Sequence, residues 1–347
     1  MKFLSVTLCL LICCVSDALI QQSALQRGSG PKFELEAASV GDISAYNVEQ
    51  TPSFETAKRR VAVLLCPAQF CVPEDYTVMF ENLRALEDQL DIELAESCRT
   101  VPLGRTDWIK VARQLPTKNF IDANLDVKET LQWYFDAIED ALMDIFQAEG
   151  PDVSIAIVGH SIGGWVARAY LGGLSQSSSA VYRLAIQQCT SLVTLGTPHT
   201  RPDDALVDQT RGLLRAIEEA PACSPKYLTE EKGISITCVC SNAVKGSFPS
   251  TNLEELIAVG SYVPLTGMQG DYVGDGIVPS SLAFLDGPAE SVIVDTCSQT
   301  GKDIRHIHVI PTPWNLWDPK APSIPLSDDF PSYVSTGVVE QWAAYIR

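Results

Sequence analysis

With 347 residues, the chain is long enough to bury a sizeable core as one α/β domain with insertions or as two smaller domains, and its 46% hydrophobic and 20% charged residues are those of an ordinary globular protein. A formal net charge of -18 and a pI of about 4.6 argue against sequence-independent binding to nucleic acid, whose phosphates would be repelled, and against a polybasic grip on anionic membrane. Solubility is the simpler reading of the charge.

At the N-terminus, Lys2 precedes an apolar stretch from Phe3 to Val15, and Ser16-Asp17-Ala18 offers small residues at the two positions a signal peptidase inspects. Residues 1–18 therefore read as a secretory signal peptide, too short for a convincing membrane span, with an uncleaved anchor as the alternative. Residues 19–58 read as an N-terminal linker. Their start, Leu19 to Phe33, lacks Asp and Glu and carries Arg27 and Lys32, so it is also compatible with a transit-like segment. The expected compartment is the secretory route or the exterior, with a plastid as the alternative. No later segment has the apolar length to cross a bilayer, so at most peripheral membrane contact is expected.

Of the 11 cysteines, Cys9, Cys13 and Cys14 fall within the leader. The others are Cys66, Cys71, Cys98, Cys189, Cys223, Cys238, Cys240 and Cys297, an even number that permits disulfides on a secreted chain without fixing their pairing. Cys66 and Cys71 lie close enough in sequence to bridge one loop. Zinc is not expected, because Cys238 and Cys240 alternate in a strand-like run and no second pair has ligand spacing.

The domain proper is read as residues 59–347. Arg60 to Leu65 is a β-branched and apolar run, expected as a buried strand that ends in the loop Cys66 to Glu74. Tyr76, Met79, Phe80, Leu83, Leu86 and Leu90 then mark the inner side of a helix, and Ile92 to Cys98 is a further candidate strand. From Val127 to Phe146 the apolar residues recur at spacings of 3 and 4, the pattern of an amphipathic helix lying on a sheet. Val153 to Val158 reads as a strand buried on both faces, and Trp165 to Leu171 as a helix. Leu192 to Leu195 and Ile234 to Cys240 are further strands. Such alternation of strands and helices predicts a doubly wound, mainly parallel sheet. Between the last two strands, residues 200–227 form an insertion with Leu206, Val207, Leu213, Leu214 and Ile217 at helical spacing. Two readings stay open for it: a lid over the carboxyl ends of the strands, or an ordinary connecting helix.

At the junction of the Val153 strand and the Trp165 helix stands Gly159-His160-Ser161-Ile162-Gly163. A tight strand-turn-helix junction holds a serine in a strained conformation with its hydroxyl projecting, and flanking glycines let helix and strand approach closely. Ser161 is thus a candidate nucleophile. A serine hydroxyl needs a base, usually a histidine held by a carboxylate, and the chain has only 4 histidines. His160 sits in the turn itself and should point elsewhere. His199, at the end of Gly196-Thr197-Pro198-His199, suits shaping of the pocket or capping of a loop. In strand-turn-helix hydrolases the order is serine, acid, histidine. The acid candidate is Asp275, flanked by Gly274 and Gly276, with Asp271 and Asp286 as alternatives. Beyond it only His306 and His308 remain, two residues apart in an extended segment and so facing opposite sides. His308, next to the Pro311-Thr312-Pro313-Trp314 loop, is the preferred base, and His306 the alternative. For the oxyanion, the candidate backbone donors are Ile162, after the nucleophile, and Gln69, in the loop Pro67 to Phe70.

Three motifs in this order, Gly159 to Gly164, Leu195 to His199 and Gly274 to Pro279, resemble the α/β-hydrolase superfamily. Within it they are most similar to the lipase-like and GPI-inositol-deacylase-like branch, including soluble plant and algal members. The resemblance covers Arg59 to Arg347. It implies ester hydrolysis with Ser161 as nucleophile, Asp275 as acid and a later histidine as base. The chain departs from the pattern in lacking the usual glycine after Pro67, where Ala68 stands, and in an expanded segment from Cys297 to Arg305. A serine hydrolase cleaving a carboxylic ester, lipid-like and through an acyl-enzyme, is the expected activity, with no metal or organic cofactor. An acyltransferase with the same triad and a non-catalytic binding protein on the same fold are the alternatives.

Overall fold

The computed structural model describes residues 58–201, 208–266, 272–310, 323–327 and 329–347. The leader and linker, the candidate acid Asp271 and the loop at Pro311 lie outside the described residues.

Strand β1 (Arg59–Cys66) leads into α1 (Thr77–Ala85), then β2 (Ile92–Leu94) and β3 (Arg99–Thr100). The strand expected from Ile92 to Cys98 is confined to β2, and β3 follows it beyond Cys98; the two pair with β1 at separate registers. Helix α2 (Val127–Glu149) starts where the Asp126 side chain accepts from the Glu129 N–H and stops at Gly150, whose φ is 92°. Strand β4 (Ser154–His160) is followed by α3 (Ile162–Leu171), α4 (Ala180–Gln188) and β5 (Cys189–Leu195). Next come α5 (Leu213–Glu219), β6 (Ser235–Cys240), and an excursion made of β7 (Val244–Gly246), α6 (Leu253–Thr266) and β8 (Tyr272–Gly274). Strand β9 (Glu290–Ile293) and helix α7 (Thr336–Trp342) complete the elements that matter for the site.

The main sheet has seven strands in the order β2-β1-β4-β5-β6-β9, with β3 also on β1. All of its pairings are parallel. Alternation along the strands divides the core in two. Ala62, Leu64 and Cys66 of β1 and Ile155 and Ile157 of β4 face one layer, shared with α2, α3 and α5. Val61, Val63 and Leu65, with Ala156 and Val158, face the other, shared with α1 and α7. A parallel strand covered on both faces carries apolar residues at every position, each worth roughly 1.5–3 kcal/mol when fully buried. That is the doubly wound architecture the alternation predicts.

In α5, Leu213, Leu214 and Ile217 are buried in the layer of α2 and α3. The apolar stripe of α5 is satisfied by that core. The Cys66–Cys71 bridge is absent: all eight cysteines among the described residues are unpaired, and only Cys98 is not buried. Nor does any helix among the described residues have the length and apolarity to cross a membrane.

From β1 the chain winds outward to β2 and β3, then returns to the other flank of β1 as β4, with Cys66 opposite Gly159 in the register. Strand order therefore reverses between β1 and β4. In open α/β sheets the crevice beyond the carboxyl ends at such a reversal is where ligands bind. Here it is bordered by the loop after Cys66 and the turn at Ser161.

Candidate active site

Ser161 has φ 54° and ψ -125°, a left-handed conformation that a serine adopts only when its surroundings enforce it, at a cost of about 1–3 kcal/mol. The enforcement is visible. Its N–H donates to the Leu195 carbonyl of β5 at 2.9 Å. Its carbonyl accepts from the Thr197 hydroxyl at 2.8 Å, which gives the Leu195 to His199 motif a structural task. Close approach does the rest. A Cβ on Gly163 would sit 2.1 Å from the Cys66 carbonyl oxygen, and one on Gly159 would sit 2.3 Å from the Gly164 Cα. Glycines at these points let α3 begin directly against β1 and β4. Ser161 and Ile162 are half-buried, and the positive end of the α3 dipole lies at the serine.

Asp275 stands in the turn after β8 and is 1% exposed. One carboxylate oxygen, Oδ1, accepts from the backbone N–H groups of Ile277 at 3.1 Å and Val278 at 2.8 Å. The other, Oδ2, lies 2.8 Å from His306 Nδ1 and accepts from the Tyr333 hydroxyl at 2.8 Å. The His306 backbone N–H also donates to the Asp275 carbonyl at 2.9 Å. Against an ionised carboxylate, Nδ1 must carry the imidazole proton, which leaves Nε2 with a free lone pair. The pair borders the serine turn. A Cβ on Gly196, the residue after Leu195, would lie 2.4 Å from Asp275 Oδ2 and 2.9 Å from His306 Nδ1. The His306 ring also packs 5.0 Å from that of His160, the neighbour of Ser161.

His308, the base preferred from the sequence, is placed elsewhere. Its Nε2 lies 3.1 Å from the Asp75 backbone carbonyl, and its ring packs on Tyr76 at 4.8 Å. The two histidines do face opposite sides of an extended segment, as alternation requires, but it is His306 that faces the acid. Behind His308, the Asp75 carboxylate accepts from the Ser323 N–H at 2.6 Å and its hydroxyl at 3.1 Å, and from Arg105 at 3.5 Å. His308 thus belongs to a buried brace. Asp286, the alternative acid among the described residues, is exposed.

The other two histidines are structural as well. His160 is buried, with Nδ1 2.8 Å from the Tyr76 hydroxyl. His199 is fully buried, with Nε2 2.9 Å from the Thr194 hydroxyl. Burial holds His160 well below its usual pKa, reinforced by His306 and His308. Burial and then Arg168 do the same for His199. His308 is pushed down to about 4, mainly by burial.

These folded histidines refuse protons that the unfolded chain accepts near pH 6.5, so stability is present at neutral pH and is lost as pH falls. For His308 the loss runs from about pH 6.5 to about pH 4 and reaches about 2 kcal/mol by pH 5. Urea unfolding at pH 7, 6 and 5 is expected to show a falling midpoint. A midpoint that stays level over this range would mean these imidazoles are not buried neutral.

Sequence reasoning passed over two tyrosines. Tyr333, fully buried, donates to Asp275 and accepts from the Ser241 N–H at 3.2 Å. Tyr76, also fully buried, touches the loop after β1 and reads in sequence as the apolar side of a helix. A buried phenol and a core aromatic ring follow the same spacing, so only the partners of the hydroxyl distinguish them.

A family model described as a PGAP1-like alpha/beta domain matches residues 124–255, a segment that contains Ser161 and ends before Asp275. No curated protein sequence matches the chain. Among solved structures, the Bacillus licheniformis lipase BlEst2 in mature form is similar at 14% identity over 69% of this chain and 84% of that one, with a TM-score of 0.38. Aspergillus fumigatus lipase B is similar at 10% identity over 67% and 44%, with a TM-score of 0.31. The RedJ thioesterase from the prodiginine biosynthetic pathway of Streptomyces coelicolor is similar at 14% identity over 71% and 85%, with a TM-score of 0.25. Over residues 124–255, which carry β4, the strained Ser161 turn and α3, the chain is thus similar to a PGAP1-like alpha/beta domain.

Proposed function

We propose that the protein is a serine hydrolase that cleaves a carboxylic ester, lipid-like in its acyl part, through an acyl-enzyme on Ser161. The observation that carries this reading is the Asp275–His306 contact beside the serine turn. In the proposed reaction Ser161 Oγ attacks the ester carbonyl carbon and its proton passes to His306 Nε2. Asp275 keeps Nδ1 protonated and stabilises the imidazolium that forms. Charge on the carbonyl oxygen is met by the Ile162 and Gln69 backbone N–H groups. The intermediate collapses and His306 gives the proton to the departing alkoxide; a water deprotonated by the same nitrogen then attacks the acyl carbon, the bond to Ser161 Oγ breaks, and His306 returns the proton to Ser161 Oγ as the acid leaves.

A lipid-like acyl group is supported by the excursion after β6. Helix α6 turns Leu253, Leu256 and Ile257 outward, with Leu253 71% exposed, and packs Tyr262 against the turn that holds Asp275, the Tyr262 hydroxyl accepting from the Gly276 N–H at 2.6 Å. The helix that buttresses the Asp275 turn thus also carries an exposed apolar patch.

Treating the mature protein with a fluorophosphonate should add one phosphonyl group, located by peptide mass spectrometry on Ser161. A folded protein that stays unlabelled would end the serine-hydrolase reading. On p-nitrophenyl esters of increasing length, kcat/KM is expected to rise from acetate to medium chains. Best activity on acetate would count against the lipid-like substrate.

A further inference from the structure

We infer that the buried phenols of Tyr76 and Tyr134 are positioning residues that hold the loop from Pro67 to Val72 so that the Gln69 N–H faces the oxyanion; this rests on the serine-hydrolase reading. The loop lacks the glycine that would let it adopt such a shape unaided. Its Cys71 N–H donates to the Ala68 carbonyl at 3.1 Å, Phe70 has φ 64°, and Gln69 is not among the residues with positive φ. That combination is a type II turn with Gln69 at its second position and a phenylalanine where glycine is the usual choice. A side chain at such a φ persists only where the surroundings impose it.

Both hydroxyls grip one peptide unit, the Pro67–Ala68 bond at the start of the turn. The Tyr134 hydroxyl donates to the Pro67 carbonyl at 2.8 Å, and the Ala68 N–H donates to the Tyr76 oxygen at 2.9 Å. Both tyrosines are fully buried. Beyond the turn, the Val72 N–H donates to Asp75 Oδ2 at 3.0 Å. Ala68 therefore has no N–H to offer a substrate, and the Gln69 N–H has no protein partner among the described residues. The Tyr76 hydroxyl is also hydrogen-bonded to His160 Nδ1, 2.8 Å away. One phenol thus ties the loop that offers one donor to the turn that offers the nucleophile and the other donor. Burial keeps both phenols protonated through the working pH range.

The test compares wild type with Tyr76→Phe, Tyr134→Phe, Gln69→Pro and the doubles that pair each tyrosine variant with Gln69→Pro, using a p-nitrophenyl ester for kcat and KM and an alkyl boronic acid as tetrahedral mimic. Phenylalanine keeps the ring and removes only the hydroxyl. Proline suits the second position of a type II turn and removes only the N–H. Gln69→Pro is expected to lower kcat about 100-fold, and each tyrosine variant about tenfold, all with KM within about twofold of wild type. Boronate affinity should fall in step with kcat. Each double should be no slower than Gln69→Pro alone, because the phenols act through the donor that proline removes. A tyrosine variant whose kcat is unchanged, or losses that multiply in the doubles, would overturn the inference while leaving the hydrolase reading intact. A folded wild type without turnover or labelling would bring down both.

Discussion

Replacing His306 by alanine is expected to lower kcat/KM by about a millionfold, as much as Ser161→Ala, because a nucleophile and its base act as one unit. His308→Ala, two residues away, is expected to keep kcat/KM within about tenfold of wild type. It should instead lose stability, since it leaves the buried Asp75 carbonyl without its partner at a cost of about 1–3 kcal/mol and opens space beside Tyr76. Ester turnover and melting temperature, measured on both variants, separate the two roles. Equal catalytic losses for the two histidines would mean that the Asp275–His306 contact is not the working pair.

Asp275→Asn should cost about 10⁴-fold in kcat. Its four donors explain why the amide has no comfortable orientation. Oδ1 accepts two backbone N–H groups, and Oδ2 faces the His306 Nδ1 and the Tyr333 hydroxyl. An amide nitrogen on the Oδ2 side pushes His306 into the tautomer whose Nε2 carries a proton and cannot take one from Ser161. On the Oδ1 side it opposes Ile277 and Val278, and the turn itself is disturbed. Turnover of Asp275→Asn within tenfold of wild type would show that the carboxylate does not set the tautomer. A protein that melts early and is inactive would point to the second orientation.

The parts of this chain that the sequence makes legible are those where one residue type has one physical reason. Glycines at 159 and 163 mark a backbone approach that no side chain permits, and the β-branched run before them marks a strand covered on both faces. Asp275 is legible because little else between two glycines follows the serine at the right place in the order. The choice between His306 and His308 is not legible, because alternation says that they diverge but not which face meets the acid. That is settled by the carbonyl of Asp75, 233 positions away in the chain. Helix α6 escapes a periodicity reading for a different reason. It buries Ala258 and Tyr262 while Leu253, Leu256 and Ile257 face outward, so its apolar stripe points the wrong way for a core helix. The 200–227 insertion shows the converse case, an amphipathic pattern that fits a lid and a connector equally and whose described helix is spent on the core.

The two bonds between Asp275 and His306, one through side chains and one through the main chain, close the intervening chain into a ring. Whatever happens to the length of that ring is decoupled from the distance between its ends. Doubling a closed loop costs only about 0.6 kcal/mol in entropy, so insertions between these two positions carry little penalty to the contact between Asp275 and His306. In this lineage, segment length between these two positions should be among the most freely drifting features, and a poor guide to whether the chemistry has been kept.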